Sequence, residues 1–195
     1  MPLPPQPAPR SLKHTRTTRF EGYLREDGNW DIEGHLFDTK PMDMPLSAGV
    51  RKAGEPVHEM WIRLTIDRRM TVLEACASTD AMPYGGACAE ITPDYAKLKG
   101  ASLIKGFRRT VKALYGDIKG CTHINEMLTQ MPSAAVQSFA GVRRDNQDDG
   151  HKPFQLDRCH ALATNGKTVM QFYPKWYREG GAEPPGKLES LAGKH

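Results

Sequence analysis

Along the first half of the chain apolar and polar residues alternate with the two-residue period of β-strands, and after residue 94 the apolar spacing becomes helical. Phe20 to Leu24 and Trp30 to Phe37 are short runs joined by Arg25-Glu26-Asp27-Gly28-Asn29, whose Asp-Gly step supplies the positive φ of a hairpin turn. Trp30, Ile32, Gly34 and Leu36 share one face of the second run, and Asp31, Glu33 and His35 share the other. Asp38-Thr39-Lys40-Pro41 ends it. Residues 41 to 56, with three prolines and two glycines, read as a long loop of the kind that serves as a lid or binding element. From Val57 to Asp67 a third strand points His58, Met60, Ile62, Leu64 and Ile66 one way and Glu59, Trp61, Arg63, Thr65 and Asp67 the other. Met70 to Ser78 follows as a fourth strand after a tight turn.

Met82-Pro83-Tyr84-Gly85-Gly86 breaks the alternation, and Thr92-Pro93-Asp94 has the cap and proline of a helix start. Leu103, Ile104, Phe107, Val111 and Leu114 stripe one helix, which Gly116 stops. Ile124, Met127, Leu128, Met131, Ala134 and Ala135 stripe another, with Thr122 as its N-cap. Residues 143 to 153 read as an exposed loop. Phe154 to His160 and Thr168 to Tyr173 read as a last pair of strands around Asn165-Gly166. The expected fold is α+β: an antiparallel sheet with a late hairpin, covered on one face by a helical hairpin. Residues 1–16 are expected to be a disordered Pro-rich tail, 17–177 one domain and 178–195 a flexible tail.

A chain of 195 residues with 38% apolar content sustains one substantial core. No run approaches the roughly 20 apolar residues of a membrane span, and the N-terminal prolines do not resemble a signal peptide, so a cytoplasmic protein that does not enter a membrane is expected. The four cysteines, Cys76, Cys88, Cys121 and Cys159, form no Cys-x-x-Cys pair and are expected to be reduced. Lys105, Arg108, Arg109 and Lys112 make a basic face and Arg143-Arg144 a second patch, but neither has the interleaved aromatics of a nucleic-acid site. The net charge of +4 is too small to imply a nucleic-acid partner, and no nucleotide fingerprint is present.

Candidate chemistry gathers at Gly120-Cys121-Thr122-His123, where a thiol and an imidazole stand at a helix start whose N–H groups favour a thiolate or an anionic oxygen. Cys121 is equally readable as a small buried residue, and His123 as a surface one. His58 sits at the edge of an apolar strand face, the place of a packing histidine or of a base. Asp31, Glu33 and His35 form either one wall of a proton-transfer site or the wet face of the sheet; alternation alone favours the wet face.

Several blocks together carry a resemblance: Arg25 to Gly34 with Asp38-Thr39-Lys40; His58-Glu59-Met60 with Arg63 to Asp67; and Gly120-Cys121-Thr122-His123, with Cys88, Pro93, Gly100 and Cys159-His160 in the same order. On these the chain resembles the bacterial domain-of-unknown-function family numbered 2889, over roughly residues 17 to 177. The resemblance implies an association with breakdown of aromatic compounds, and carbon–carbon cleavage of lignin-derived dimers. It sets His58, Asp31, Glu33, Arg63, Cys121 and His123 near a pocket.

The enzyme this suggests is a cofactor-independent lyase that loses formaldehyde from a primary alcohol by retro-aldol cleavage. Such a reaction needs a base for the hydroxyl proton, an acceptor for the electrons left on carbon, which a para-phenol supplies through a quinone methide, and an apolar slot for the rings. His58, Asp31, Glu33 and His123 are the acid–base candidates. Arg63 and Cys121 are placed to hold the oxyanion, and Tyr84, Trp30 and Trp61 to line the slot. Two other readings stay open: a metal module with His58, Cys88, Cys121 and His123 as ligands, and a non-catalytic protein that binds an aromatic ligand. The sequence leaves homo-oligomer formation open.

Overall fold

The structure, a computed structural model, describes residues 3–46, 49–140, 150, 152–153 and 155–180. An antiparallel sheet in the order β1-β2-β5-β6 is built from β1 (Thr15–Leu24), β2 (Trp30–Thr39), β5 (Pro56–Ile66) and β6 (Val72–Ala81). The β1–β2 turn closes where the Asp-Gly step predicts: Arg25 N–H donates to Asn29 O at 2.9 Å and Gly28 takes φ 80°. β3 (Met44–Leu46) and β4 (Gly49–Arg51) pair as a small hairpin inside the stretch expected to be only a loop. A backbone that cannot reach the main sheet pairs with itself.

β2 alternates buried and half-buried residues without interruption. Its inward positions Ile32 and Leu36 join Met60, Ile62 and Leu64 of β5 in one core, roofed by Ile124, Met127, Leu128, Met131 and Ala135 of the helix α3 (Thr122–Phe139). Gly34 lies in the same row because a Cβ there would come within 3.1 to 3.4 Å of Phe20, Ile62 and the Met127 sulfur. Before α3 come α1 (Ala87–Glu90), a 3-10 helix (Thr92–Leu98) against β6, and α2 (Phe107–Tyr115). α2 and α3 pack as the expected helical pair and α3 covers one sheet face, so the fold is α+β. Thr122 is the first helical residue rather than the cap: the opening bond runs from Asn125 N–H to Cys121 O at 2.9 Å.

The late hairpin is not present among the described residues. His160–Leu162 is a 3-10 turn and Lys167–Phe172 forms a helix, α4, starting after Gly166. A run this short has no decisive period: Val169 alone is buried in it, which one helical turn satisfies as well as a strand. Asp157 organises the turn before it, with φ 61°. Its carboxylate accepts from Lys152 Nζ at 2.6 Å and Thr164 N–H at 2.8 Å, bonds that pull its pKa down to about 2. Phe154 and the Arg143-Arg144 patch lie outside the described residues.

The chain divides into two compact units, Met1–Phe139 and Ala140–His195. The first strand begins at Thr15, inside the expected tail, and most of the C-terminal tail lies outside the described residues. All four cysteines are free. No helix among the described residues is long and apolar enough to cross a membrane.

Candidate functional site

Two residues past Leu36, the inward row of β2 ends on a carboxylate. Asp38 is 2% exposed, and a buried charge persists only when neighbours pair with it. Arg16, its register partner on β1, grips it with both arms of the guanidinium: Nε donates to Oδ1 at 2.8 Å and Nη2 to Oδ2 at 2.7 Å. Arg16 Nη1 also donates to Glu126 of α3 at 2.8 Å. His14 Nε2 lies 3.1 Å from Oδ1.

From the other side β5 sets His58 opposite Asp38, with Nδ1 3.1 Å from Oδ2. A carboxylate only accepts, so the proton of neutral His58 sits on Nδ1 and Nε2 keeps its lone pair. His123, the second residue of α3, brings its ring centroid to 4.1 Å from that of His58, and its Nε2 to 4.0 Å from Asp38. Cys121 Sγ stands 3.9 Å from His123 Nδ1 and 3.6 Å from the Met60 sulfur.

Burial pushes the Asp38 carboxyl upward, but the hydrogen bond and charge of Arg16, joined by His14, outweigh it and hold Asp38 below the usual carboxylate range. Burial lowers His58 against the opposing pull of Asp38, and burial followed by the charges of His58 and Arg16 lowers His123. Both imidazoles are therefore neutral at pH 7 and able to accept a proton.

Below the ordinary histidine value of 6.5 the unfolded chain binds protons that folded His58 and His123 resist, so stability falls as pH drops through that range. Asp38 adds a second loss below 3.8. Denaturant midpoints followed from pH 8 to 4 should decline from about pH 6.5, and the decline should be shallower in His58→Gln. Midpoints that rise on acidification would mean that the imidazoles are held as cations.

A cavity of about 640 Å³ opens on this cluster. His58, Met60, Cys121, Thr122 and His123 line it on the sheet and α3 side, and Pro83, Tyr84, Cys88 and Ile91 come from the segment after β6. The start of α3 is fixed from beneath by Tyr95, whose hydroxyl accepts from Cys121 N–H at 2.9 Å and donates to Asn125 Oδ1 at 3.0 Å. Asn125 Nδ2 donates to Tyr115 O at 2.7 Å, and Tyr115 hydroxyl to Asp94 O at 3.0 Å. Burial raises both phenols, Tyr115 to about 12, so they work as neutral hydrogen-bonding groups. Gly120 is required here because a Cβ would lie 2.7 Å from Tyr115 O. Tyr95→Phe should cost about 1–3 kcal/mol by leaving a buried donor and acceptor without partners, read as a lowered urea midpoint. A loss below about 0.5 kcal/mol would show that the start of α3 does not depend on this hydroxyl.

His58, His123, Cys121, Tyr84 and Cys88 thus meet at one cavity. Asp31, Glu33, Trp61 and Arg63 do not. They stand on the opposite face of the sheet, because odd-numbered residues of β2 and β5 point away from the row that carries Asp38 and His58. There Asp31 accepts from the Thr65 hydroxyl at 2.6 Å, Arg63 lies 3.8 Å from Glu33, and Trp61 stacks on His35 at 3.7 Å. Trp30 is on the inward row but at the far end, paired with Ile66 and stacked on Phe139 at 4.6 Å. Of the candidate metal set His58, Cys88, Cys121 and His123, all four line the cavity, and among the described residues the ligand atoms of Asp38, His58 and His123 lie within 4.8 Å of one another.

Asp38, Arg16, His14 and Glu126 were missed from sequence. One signal was available: Asp38 follows Leu36 at the strand period, so a carboxylate was due on the buried face.

The model of one family, described as a protein of unknown function (DUF2889), matches residues 14–137. The chain belongs to this family. The DUF2889 match spans every member of the cluster, from His14 to Glu126, and lies inside the first compact unit. No curated protein and no solved structure matches the chain.

Proposed function

We propose that this DUF2889 protein is a cofactor-independent carbon–carbon lyase acting on a phenolic aromatic that bears a primary alcohol, in the class of lignin-derived dimers that the family resemblance suggests. The observation that carries the reading is the Asp38–His58 pair at the cavity: a neutral imidazole whose proton is pinned on Nδ1 and whose Nε2 is a ready base. The four free thiols fit a reducing cytoplasm as its place of work.

The chemistry balances without an oxidant or reductant. Loss of the phenolic proton to solvent and of a benzylic oxygen substituent gives a quinone methide; the leaving oxygen takes a proton from the Cys121 thiol, which then regains one from solvent. His58 Nε2 then takes the proton of the primary alcohol. The O–H electrons become the second bond of formaldehyde, the carbon–carbon bond breaks, and its pair forms an alkene while the ring returns to phenolate. The first-turn N–H groups of α3 have no carbonyl four residues back, and they offer a hydrogen-bonding end for an oxyanion.

Purified protein given a phenolic dimer should release one formaldehyde per alkene formed, and the same dimer O-methylated at the phenol should be inert. Binding without turnover would leave the aromatic-ligand carrier.

A second reading is favoured by one observation, the convergence of Asp38, His58 and His123 within 4.8 Å, a two-histidine, one-carboxylate set that suits a divalent cation. Against it, both oxygens of Asp38 are already held by Arg16, a cation that a metal would have to displace. Metal analysis of the purified protein separates the two.

A further inference from the structure

Two carboxylates also line the cavity, Glu90 from α1 and Asp94 from the 3-10 helix after it. No lysine or arginine lines it among the described residues. Lys119, between the lining residues Ile118 and Gly120, is exposed, and three cations around the cavity are turned to other work: Arg16 is bound to Asp38 and Glu126, Arg51 donates to the carbonyls of Pro56 and Met82, and Lys97 pairs with Asp94 at 2.6 Å. Glu90 and Asp94 therefore put negative charge along the cavity, and Lys97 offsets part of it at Asp94. Met60, Pro83, Tyr84, Ile91 and Ile118 give the lining its apolar part. Tyr84 is 68% exposed and Ile118 fully exposed at this cavity, large apolar groups that an aromatic ligand would cover.

We infer that the cavity selects by charge, taking neutral or cationic aromatic ligands and rejecting those that carry a carboxylate, with Glu90 as the main specificity determinant and Asp94 as the lesser one. The inference rests on the proposed aromatic reading for the ligand class, but it concerns binding alone. A ligand carboxylate would lie beside the exposed Glu90 carboxylate with no cation lining the cavity to receive it, and like charges repel. A hydroxyl in the same position instead donates to Glu90. Asp94 is the weaker barrier because Lys97 half-neutralises it.

Calorimetric titration at pH 7.5 would use two phenolic dimers that match except for a terminal hydroxymethyl against a carboxylate, each with its reacting primary alcohol blocked as the methyl ether so that nothing turns over. The wild-type protein should bind the neutral dimer at least tenfold more tightly. The gap should narrow several-fold in Glu90→Gln, close in Glu90→Lys, and shrink in about 0.5 M salt, where exposed charges are screened. Equal affinities, tighter binding of the carboxylate, or a gap unchanged in Glu90→Gln would overturn the charge selection while leaving the aromatic site standing. Failure of both dimers to bind would overturn the aromatic reading and this inference with it.

Discussion

Asp38→Ala is expected to lower stability by about 2–4 kcal/mol. Removing one partner of a buried ion pair usually costs about 3–5 kcal/mol, because the remaining charge is left without compensation. Here the remaining charge is Arg16, which is 33% exposed and keeps Glu126, so the loss falls toward the lower part of that range. Asp38→Asn should be milder in stability, since an amide still accepts from Arg16. It should nevertheless depress turnover, because an amide no longer dictates which nitrogen of His58 carries the proton. Urea denaturation of both variants measures the first effect. A cost for Asp38→Ala below about 1 kcal/mol would mean that the carboxylate is not the anchor of the cluster.

His58→Ala should lower turnover by about 10²- to 10⁴-fold, the usual contribution of one general base. Stability should change by less than about 1 kcal/mol, for a specific reason. Asp38 retains both Arg16 bonds and the His14 contact after His58 is gone, so no buried acceptor is left unsatisfied. A packing histidine would behave in the opposite way. Destabilised protein with undiminished turnover per folded molecule would remove His58 from the chemistry.

The sheet and the covering helices were legible because their signal is periodic and long: β2 alternates over ten residues and the buried stripe of α3 runs from Ile124 to Phe139. Residues 168–173 carried no such signal, and local composition misled where one buried Val169 was the only tertiary demand. For the site, His58, His123 and Cys121 stood out because their chemistry is conspicuous in any context. Asp31 and Glu33 drew the same notice, and the structure puts them half-buried on the sheet face opposite Asp38, the side that alternation assigned to them. Asp38 was the informative carboxylate because its phase, rather than its type, was unusual. Arg16 and His14 could not be read at all, since only the β1–β2 register brings Arg16 across from Asp38. Glu126 looked like an ordinary first-turn acid until Arg16 was seen to reach it.

Formaldehyde release from a phenolic dimer by chelator-stripped protein is the most direct test of acid–base chemistry at Asp38, His58 and His123. Turnover equal to that of the untreated protein, with formaldehyde and alkene in equal amounts, is the expected result. Activity that disappears on chelation and returns with a divalent cation would assign the three side chains to a metal instead.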